Sequence, residues 1–424
     1  MQKISIVGFG KIGQAMAAHI LEAGVRVLAI DSNRSMMTGF LSRYESVEPG
    51  VEYIVQKALQ SGQLQLSSEY TDASGSEAII LCIPLLVNDA QEVDAVPFLN
   101  CVAQLVPTLR NQTLLLVETS VPVGFCRKQI QLVLTKAGLI HEQDYFLAAS
   151  PERIKSGTML QQLQQIPRVL GGLTESAGKR ALSVYRRFFR EEQLLLLPSV
   201  EAAEFTKLAG MIYRDVNIAL SNQLAIFAQS LGINLVELIP LINADREAAL
   251  LQPGIGVGGH CTPVYPYFMM QNFREAGLDF SLAAEGRRIN ESMAQFAWSQ
   301  LKPNLQHKEV LILGLAFRPQ VKEDALSVSY ALRNLLSAEG VKITLHDPYY
   351  TVDEIEEKGF TPCTDIYSTT AEAVILVTMH DMYNAIDWEK LAAGSVRWVL
   401  DGRNQLDREK ISTACLHYIG IGRS

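Results

Sequence analysis

Cys261 ends the run Pro253-Gly254-Ile255-Gly256-Val257-Gly258-Gly259-His260-Cys261, so four glycines lead into a thiol. Such a stretch reads as a flexible loop whose backbone can close over a ligand and turn N–H groups toward a developing anion. Cys261 is the candidate nucleophile: a thiol with a lowered pKa captures an aldehyde as a thiohemiacetal, which is primed to lose a second hydride. Taken alone, the same run also fits a buried, inert cysteine beside a glycine turn. Glu204 and Lys207 share one face of a helical stretch, for which a surface ion pair is the plain reading. Glu152 and Arg153 follow the strand-like YFLAAS, where a carboxylate can activate water and a guanidinium can bind phosphate or carboxylate. His260 has no partner at ligand spacing and reads as a loop residue. The cysteines at 82, 101, 126, 261, 363 and 415 include no CxxC pair and no zinc-like Cys/His cluster, so neither a disulfide framework nor a metal is expected.

These residues need elements to hold them. KISIVG (3–8) reads as a buried strand, GFGKIG places Gly8, Gly10 and Gly13 after it, and the helix-like QAMAAHILEAG leads to a second strand, VRVLAID, ending on Asp31. Strand, glycine turn, helix, strand and terminal acid in that order form the dinucleotide fingerprint. The first glycine permits the turn, the second lets the backbone approach a pyrophosphate, and the third lets helix and strand pack closely. Asp31 accepts from a ribose 2′-OH and repels a 2′-phosphate, which favours NAD over NADP, although Arg34 nearby weighs the other way. Phe9, Lys11 and Ile12 complete the cofactor turn, and Ile83 and Pro84 close a later strand on the same side.

Strand-like runs at 78–83, 113–117, 145–149 and 194–197 alternate with helix-length segments, which predicts an open, mostly parallel sheet. From Val200, apolar residues recur at three- and four-residue steps to Leu231 and Gly232 closes the run, which predicts one helix of about 30 residues. Strand and helix alternate again through VLILGLAF (310–317), VKITLHD (341–347), AVILVT (373–378) and WVLD (398–401). The expected architecture is α/β: two Rossmann-like, doubly wound parallel-sheet domains, 1–198 and 301–424, joined by a long central helix and a helical dimerisation region, 199–300.

At 424 residues the chain has room for two to three domains, and 48% hydrophobic with 19% charged residues excludes disorder. A net charge of −8 without a basic run argues against nucleic acid as a partner. No apolar run reaches the roughly 18 residues a membrane span needs, so a cytoplasmic protein is expected.

Together GFGKIG, TSVPVG, SPERI, EAAEFTKL, YRDVNIALSNQLA, PGIGVGGHCTPVYP, LGLAFRP and DGRN resemble, in order, the motifs of the nucleotide-sugar 6-dehydrogenases, the family of UDP-glucose, UDP-N-acetylmannosamine and GDP-mannose dehydrogenases. The resemblance covers nearly the whole chain. It implies NAD in the first domain, a dimer around the long helix with higher assembly open, and the sugar's nucleotide in the last domain. It implies oxidation of a primary alcohol at C6 to a carboxylate with two NAD molecules, through a thiohemiacetal and a thioester on Cys261. Lys207 matches the lysine that stabilises the oxyanion, Glu152 the glutamate that handles the water proton, and Ser120 a threonine near the nicotinamide. Arg153 and Ile154 join Glu152 in the SPERI motif as substrate contacts, with Gly254 and Gly258 from the glycine loop, Arg246 just before it, and Arg318 where a lysine is usual.

Three positions depart from the pattern: Tyr265 where an aspartate assists thioester hydrolysis, Met211 for an asparagine, and Ala325 for an arginine. UDP-glucose is the first expected substrate, leading to a uronic acid for cell-surface polysaccharide, with a UDP-N-acetylhexosamine or GDP-mannose as alternatives. A lapsed enzyme that binds without turnover follows from the departures. A simple 3-hydroxy-acid dehydrogenase would leave Cys261 and the last domain unexplained.

Overall fold

A computed structural model describes residues 3–38, 48–88, 90–306 and 309–423. The chain forms two compact units, Met1–Gly210 with Tyr267–Leu278, and Met211–Pro266 with Asp279–Ser424, so the helical segment 199–300 contributes to both.

The first unit holds strands β1 (Ile4–Val7), β2 (Val27–Ile30), β3 (Leu64–Ser67), β4 (Ala78–Leu81), β5 (Leu86–Val87), β6 (Val93–Asp94), β7 (Thr113–Val117), β8 (Tyr145–Ala149), β9 (Arg168–Gly172) and β10 (Leu194–Leu196). Eight of them form one sheet in the order β10-β9-β8-β7-β4-β1-β2-β3, and β5 pairs with β6 alone. Within the large sheet the β8–β9 pair is antiparallel and the remaining neighbours are parallel. The central strands β1, β4 and β7 are buried along their whole length, as β-branched and leucine-rich runs covered on both faces must be. Helix Lys11–Glu22 lies against this sheet through Ala15, Met16, Ile20 and Leu21.

In the second unit, β11 (Glu309–Leu313), β12 (Lys342–His346), β13 (Thr361–Pro362), β14 (Ala373–Leu376), β15 (Trp398–Asp401) and β16 (His417–Gly420) form a parallel sheet in the order β13-β12-β11-β14-β15-β16. Hydrophobic clusters line it, one around Ile312, Leu332 and Trp298 and another around Leu311, Tyr383 and Val399. The two doubly wound sheets expected from the sequence are present. Strands β3, β9, β13 and β16 lie outside the runs singled out above, and the run 310–317 stops at Leu313 because Gly314, at φ +99°, turns the chain.

The long helix is Val200–Ser230, 31 residues and about 45 Å at 1.5 Å per residue. Its start sits tightly on β9: a Cβ on Gly171 would come within 2.2 Å of Ser199 O. Farther along, Val216 packs closely on Gly286 of helix Ser281–Leu301, where a Cβ would lie 3.3 Å from its Cγ2. No described helix is long and apolar enough to cross a membrane.

Candidate active site

In the first unit the turn after β1 is built for a dinucleotide. Gly8 has φ +90°, and a Cβ there would lie 2.8 Å from the Cys82 carbonyl carbon. A Cβ on Gly13 would come within 2.0 Å of Gly8 O, whereas one on Gly10 would meet nothing within 4 Å. Two glycines are thus demanded by packing, and the third leaves space in front of the N-terminus of helix Lys11–Glu22, where N–H groups favour an anion. Asp31 is oriented by two backbone donors, Phe9 N–H to Oδ2 at 2.8 Å and Asn33 N–H to Oδ1 at 3.0 Å. Arg34 is held by Glu69 at 2.7 Å, which offsets the charge that weighed toward NADP. Ile83 fixes the far side through its carbonyl, which accepts from Thr119 Oγ1 at 2.6 Å; Pro84 is exposed. The residues present fit NAD.

A second group forms around the SPERI motif. Lys207 is buried and its Nζ donates to the Glu152 backbone carbonyl at 2.6 Å, so the ammonium is fixed by a neutral oxygen. The Glu152 carboxylate accepts the Ile154 N–H. Burial pushes its pKa up, against the pull of Lys207 and Arg168. Arg153 bonds the Pro167 carbonyl, and burial lowers the pKa of its guanidinium. Beneath lies a buried ion pair: Arg168 Nη2 donates to Glu118 and to Ser150 O, Tyr185 donates to Glu118, and the Glu118 carbonyl accepts Glu152 N–H at 3.0 Å. Ser120 is buried two residues past Glu118.

Glu204 corrects the surface ion-pair reading. It is 1% exposed and accepts the N–H groups of Gly124 at 2.5 Å and Cys126 at 3.0 Å. Burial, opposed by these donors, pushes its pKa up to about 7. The apolar stripe of the helix gave no sign that a carboxylate would face inward one turn from Lys207.

In the second unit Cys261 is half-buried where the chain enters helix Tyr265–Glu275, its carbonyl accepting Val264 N–H at 3.1 Å and Tyr265 N–H at 2.9 Å. Tyr265 Oη lies 3.6 Å from Sγ. The glycine loop is wedged rather than loose. A Cβ on Gly258 would sit 2.8 Å from Leu326 O, one on Gly259 2.8 Å from the Phe317 ring, and one on Gly254 3.0 Å from Gly402 O. Gly259 N–H bonds Ala325 O at 2.8 Å, and Arg403 Nη1 bonds Gly256 O at 3.1 Å. These glycines serve close approach, which overturns the expectation of a freely closing loop. Arg318 is half-buried next to Phe317, while Arg246 is exposed with φ +66° on the turn after helix Leu235–Ile242.

The predicted residues therefore gather as a cofactor turn, a Glu152–Lys207 group and a Cys261 loop. Sequence reasoning missed Glu118, Arg168 and Tyr185, whose burial no pattern announces. It also passed over Arg403, although DGRN was noted, and Asp347, although VKITLHD ends on an acid just as VRVLAID does.

Compared with protein families, residues 2–189 match the NAD-binding domain of the UDP-glucose/GDP-mannose dehydrogenase family, residues 201–292 its central domain and residues 311–408 its UDP-binding domain. The chain is similar to UDP-N-acetyl-D-mannosamine dehydrogenase of Pyrococcus horikoshii, with 29% identity over 435 aligned positions and 99% of each chain covered. A solved structure of UDP-D-ManNAc dehydrogenase from the same organism superposes with a TM-score of 0.88 at 27% identity, covering 100% of this chain and 99% of that one. A UDP-glucose dehydrogenase from Pyrobaculum islandicum shares the fold, with a TM-score of 0.89 at 23% identity and 100% and 98% coverage.

Proposed function

The chain belongs to the UDP-glucose/GDP-mannose dehydrogenase family, and from that premise we propose that it oxidises C6 of a UDP-N-acetylhexosamine, UDP-N-acetyl-D-mannosamine first, to the carboxylate in two NAD-dependent steps. The coarser activity, an NAD-dependent nucleotide-sugar dehydrogenase, comes with the family. UDP-glucose, the first expectation from the motifs, yields its place because the full-length relative acts by name on the N-acetylated sugar.

The observation that carries the reading is the seat of Cys261: its glycine loop is wedged against Phe317, Ala325 and Leu326, inside the segment that matches the UDP-binding domain. NAD, when bound at Gly8–Gly13 and Asp31, supplies the hydride acceptor. The Cys261 sulfur adds to the C6 aldehyde, and the hemithioacetal, once oxidised, is a thioester that water opens to carboxylate and thiol. Lys207, fixed and buried, stabilises the oxyanion that develops at C6. Glu152, a buried carboxylate whose pKa burial raises, takes the proton of the attacking water. Ser120 offers a hydroxyl beside the reacting carbon. Arg318 meets the diphosphate, and Arg153, Ile154, Arg246, Gly254 and Gly258 line the sugar nucleotide. Exposed Tyr213, Leu220, Leu224 and Phe227 along the long helix support a homodimer, and a cytoplasmic location belongs to the same reading.

A second reading is a protein that binds NAD and sugar nucleotide without sustained turnover. Tyr265 favours it, since a phenol rather than a carboxylate stands 3.6 Å from the thiol. The test is an NADH progress curve with UDP-N-acetylmannosamine, UDP-N-acetylglucosamine, UDP-glucose and GDP-mannose, followed by intact mass. Two NADH per sugar over many turnovers is the expected result with the N-acetylmannosamine substrate. One turnover with a sugar adduct on Cys261 places the block at hydrolysis, and no NADH with any sugar overturns the reading.

A further inference from the structure

The segment from Ser120 to Cys126 has no regular structure over its first residues, yet from Val123 to Cys126 each backbone N–H finds an acceptor. Val123 N–H bonds Asn272 Oδ1 at 2.9 Å, Gly124 N–H bonds Glu204 Oε2 at 2.5 Å, Phe125 N–H bonds Pro122 O at 3.1 Å, and Cys126 N–H bonds Glu204 Oε1 at 3.0 Å. Asn272 Nδ2 also donates to Val123 O at 2.9 Å, so its amide closes a two-bond ring on one residue's backbone as a neighbouring strand would. Upstream, Thr119 N–H and Oγ1 bond Leu81 O and Ile83 O. Ser120 thus lies between two sets of fixed points, and the downstream set consists of side chains distant in sequence.

The chemistry of each anchor is specific. Val123 presents a donor and an acceptor together, which a carboxamide satisfies and neither a carboxylate nor an alkyl group can. Glu204 gathers two N–H groups at the start of the helical stretch Cys126–Lys136, one on each oxygen of its carboxyl group. Glu204 and Lys207 also share one turn of helix, so the carboxylate that grips the segment and the ammonium bonded to Glu152 move as one body.

We propose that Asn272, acting with Glu204, is a positioning residue for the oxidation, holding the Ser120 hydroxyl in register with Lys207. Neither residue touches the reacting atoms. The proposal rests on the roles given above to Ser120 and Lys207. Its energetic logic is that small misplacements of a reacting group cost up to about 100-fold in rate while leaving binding intact.

The test compares full-length Asn272→Leu and Asn272→Asp with the wild type by three readouts: hydrogen exchange in peptides covering 119–126, steady-state kinetics with the best sugar, and NAD titration. Asn272→Asp keeps size and shape but sets an oxygen against Val123 O. Both variants are expected to speed exchange of the 123–126 amides by about tenfold or more. Both should lower kcat by roughly 10- to 100-fold, with the sugar KM and the NAD dissociation constant within about threefold of the wild type. If Asn272→Leu loosens the whole chain, Asn272→Asp decides alone. Wild-type exchange in Asn272→Asp, or faster exchange with an unchanged kcat, overturns the proposal by itself. A wild type that reduces no NAD with any sugar overturns the functional reading and this proposal with it.

Discussion

In the first sheet the turn after β1 is Gly8-Phe9-Gly10 and the acid ending the next strand is Asp31; in the second the turn after β11 is Gly314-Leu315-Ala316 and the acid is Asp347. Both turns open on a left-handed glycine, φ +90° and +99°, packed against the backbone of a neighbouring strand's end. In both, the acid accepts N–H groups of the turn, Phe9 to Asp31 at 2.8 Å and Leu315 and Ala316 to Asp347 at 2.7 and 2.9 Å. They then diverge. Asp31 stays half-exposed, whereas Asp347 is buried and bonded to the fully buried His380 at 3.1 Å. His380 Nδ1 accepts the Gln320 N–H, which places its proton on Nε2, facing Asp347. Helix Lys11–Glu22 starts directly after Gly10, but after the Gly314 turn the next α-helix among the described residues begins only at Val328. One sheet therefore keeps a half-exposed acid beside a helix N-terminus, an arrangement suited to a ribose and a pyrophosphate; the other has sealed its acid into the fold and has no helix start at its turn. A shared start does not fix a shared ligand.

The sharpest break of this comparison is a methyl group on each turn glycine. Gly8→Ala and Gly314→Ala meet backbone at 2.8 Å and force a positive φ, so each is expected to cost about 3–5 kcal/mol in chemical denaturation. Gly10→Ala should leave stability unchanged, because nothing lies within 4 Å, yet weaken NAD binding measurably by titration. His380→Ala should cost about 3 kcal/mol by stranding a buried carboxylate, with no change in NAD affinity. Of similar size is the effect of pH, and two buried acids respond with opposite sign. Glu204 stays protonated in the native state to about pH 7 but ionises near 4.5 when unfolded, so stability falls by roughly 3 kcal/mol as pH rises through that window. Burial raises the Asp347 pKa, but the His380 and backbone bonds outweigh it and hold it below the ordinary 3.8. Its contribution is present above that value and lost as pH falls through the lower native one. Urea unfolding across pH 4–9 should show the Glu204 slope vanish in Glu204→Gln. Smaller again, Asp31→Asn should weaken NAD binding by about 1.5–3 kcal/mol, and Arg34→Gln by under about 1 kcal/mol, both read by titration.

Legibility followed burial and periodicity. Strands β1, β2, β4, β7, β11, β14 and β15 stand out because buried parallel strands are near-continuous apolar runs, and β12 (KITLH) through its alternation. The missed β3 (LQLS) carries polar residues at a sheet edge, β9 opens on Arg168 and ends on two glycines, and β13 is only Thr361–Pro362. The cofactor turn was readable because Gly8 and Gly13 answer local steric needs and Gly10 leaves open space before a helix N-terminus. Glu204 and Asn272 were not, since their partners are backbone atoms 78 to 149 residues away and no spacing rule reaches that far. Charges sealed into a core, such as Arg168 with Glu118, look in sequence like any surface charge.

The chain leaves the first unit at Gly210, returns for Tyr267–Leu278 and leaves again. As the polypeptide emerges from the ribosome, the first sheet can pair as soon as its strands are out. Val123 must still wait for Asn272, made almost 150 residues later, before its backbone is satisfied. Maturation of the cofactor half is thus timed by synthesis of the other half. A fragment cut at the end of the long helix would hold every strand of the first sheet and still lack a finished Ser120 segment.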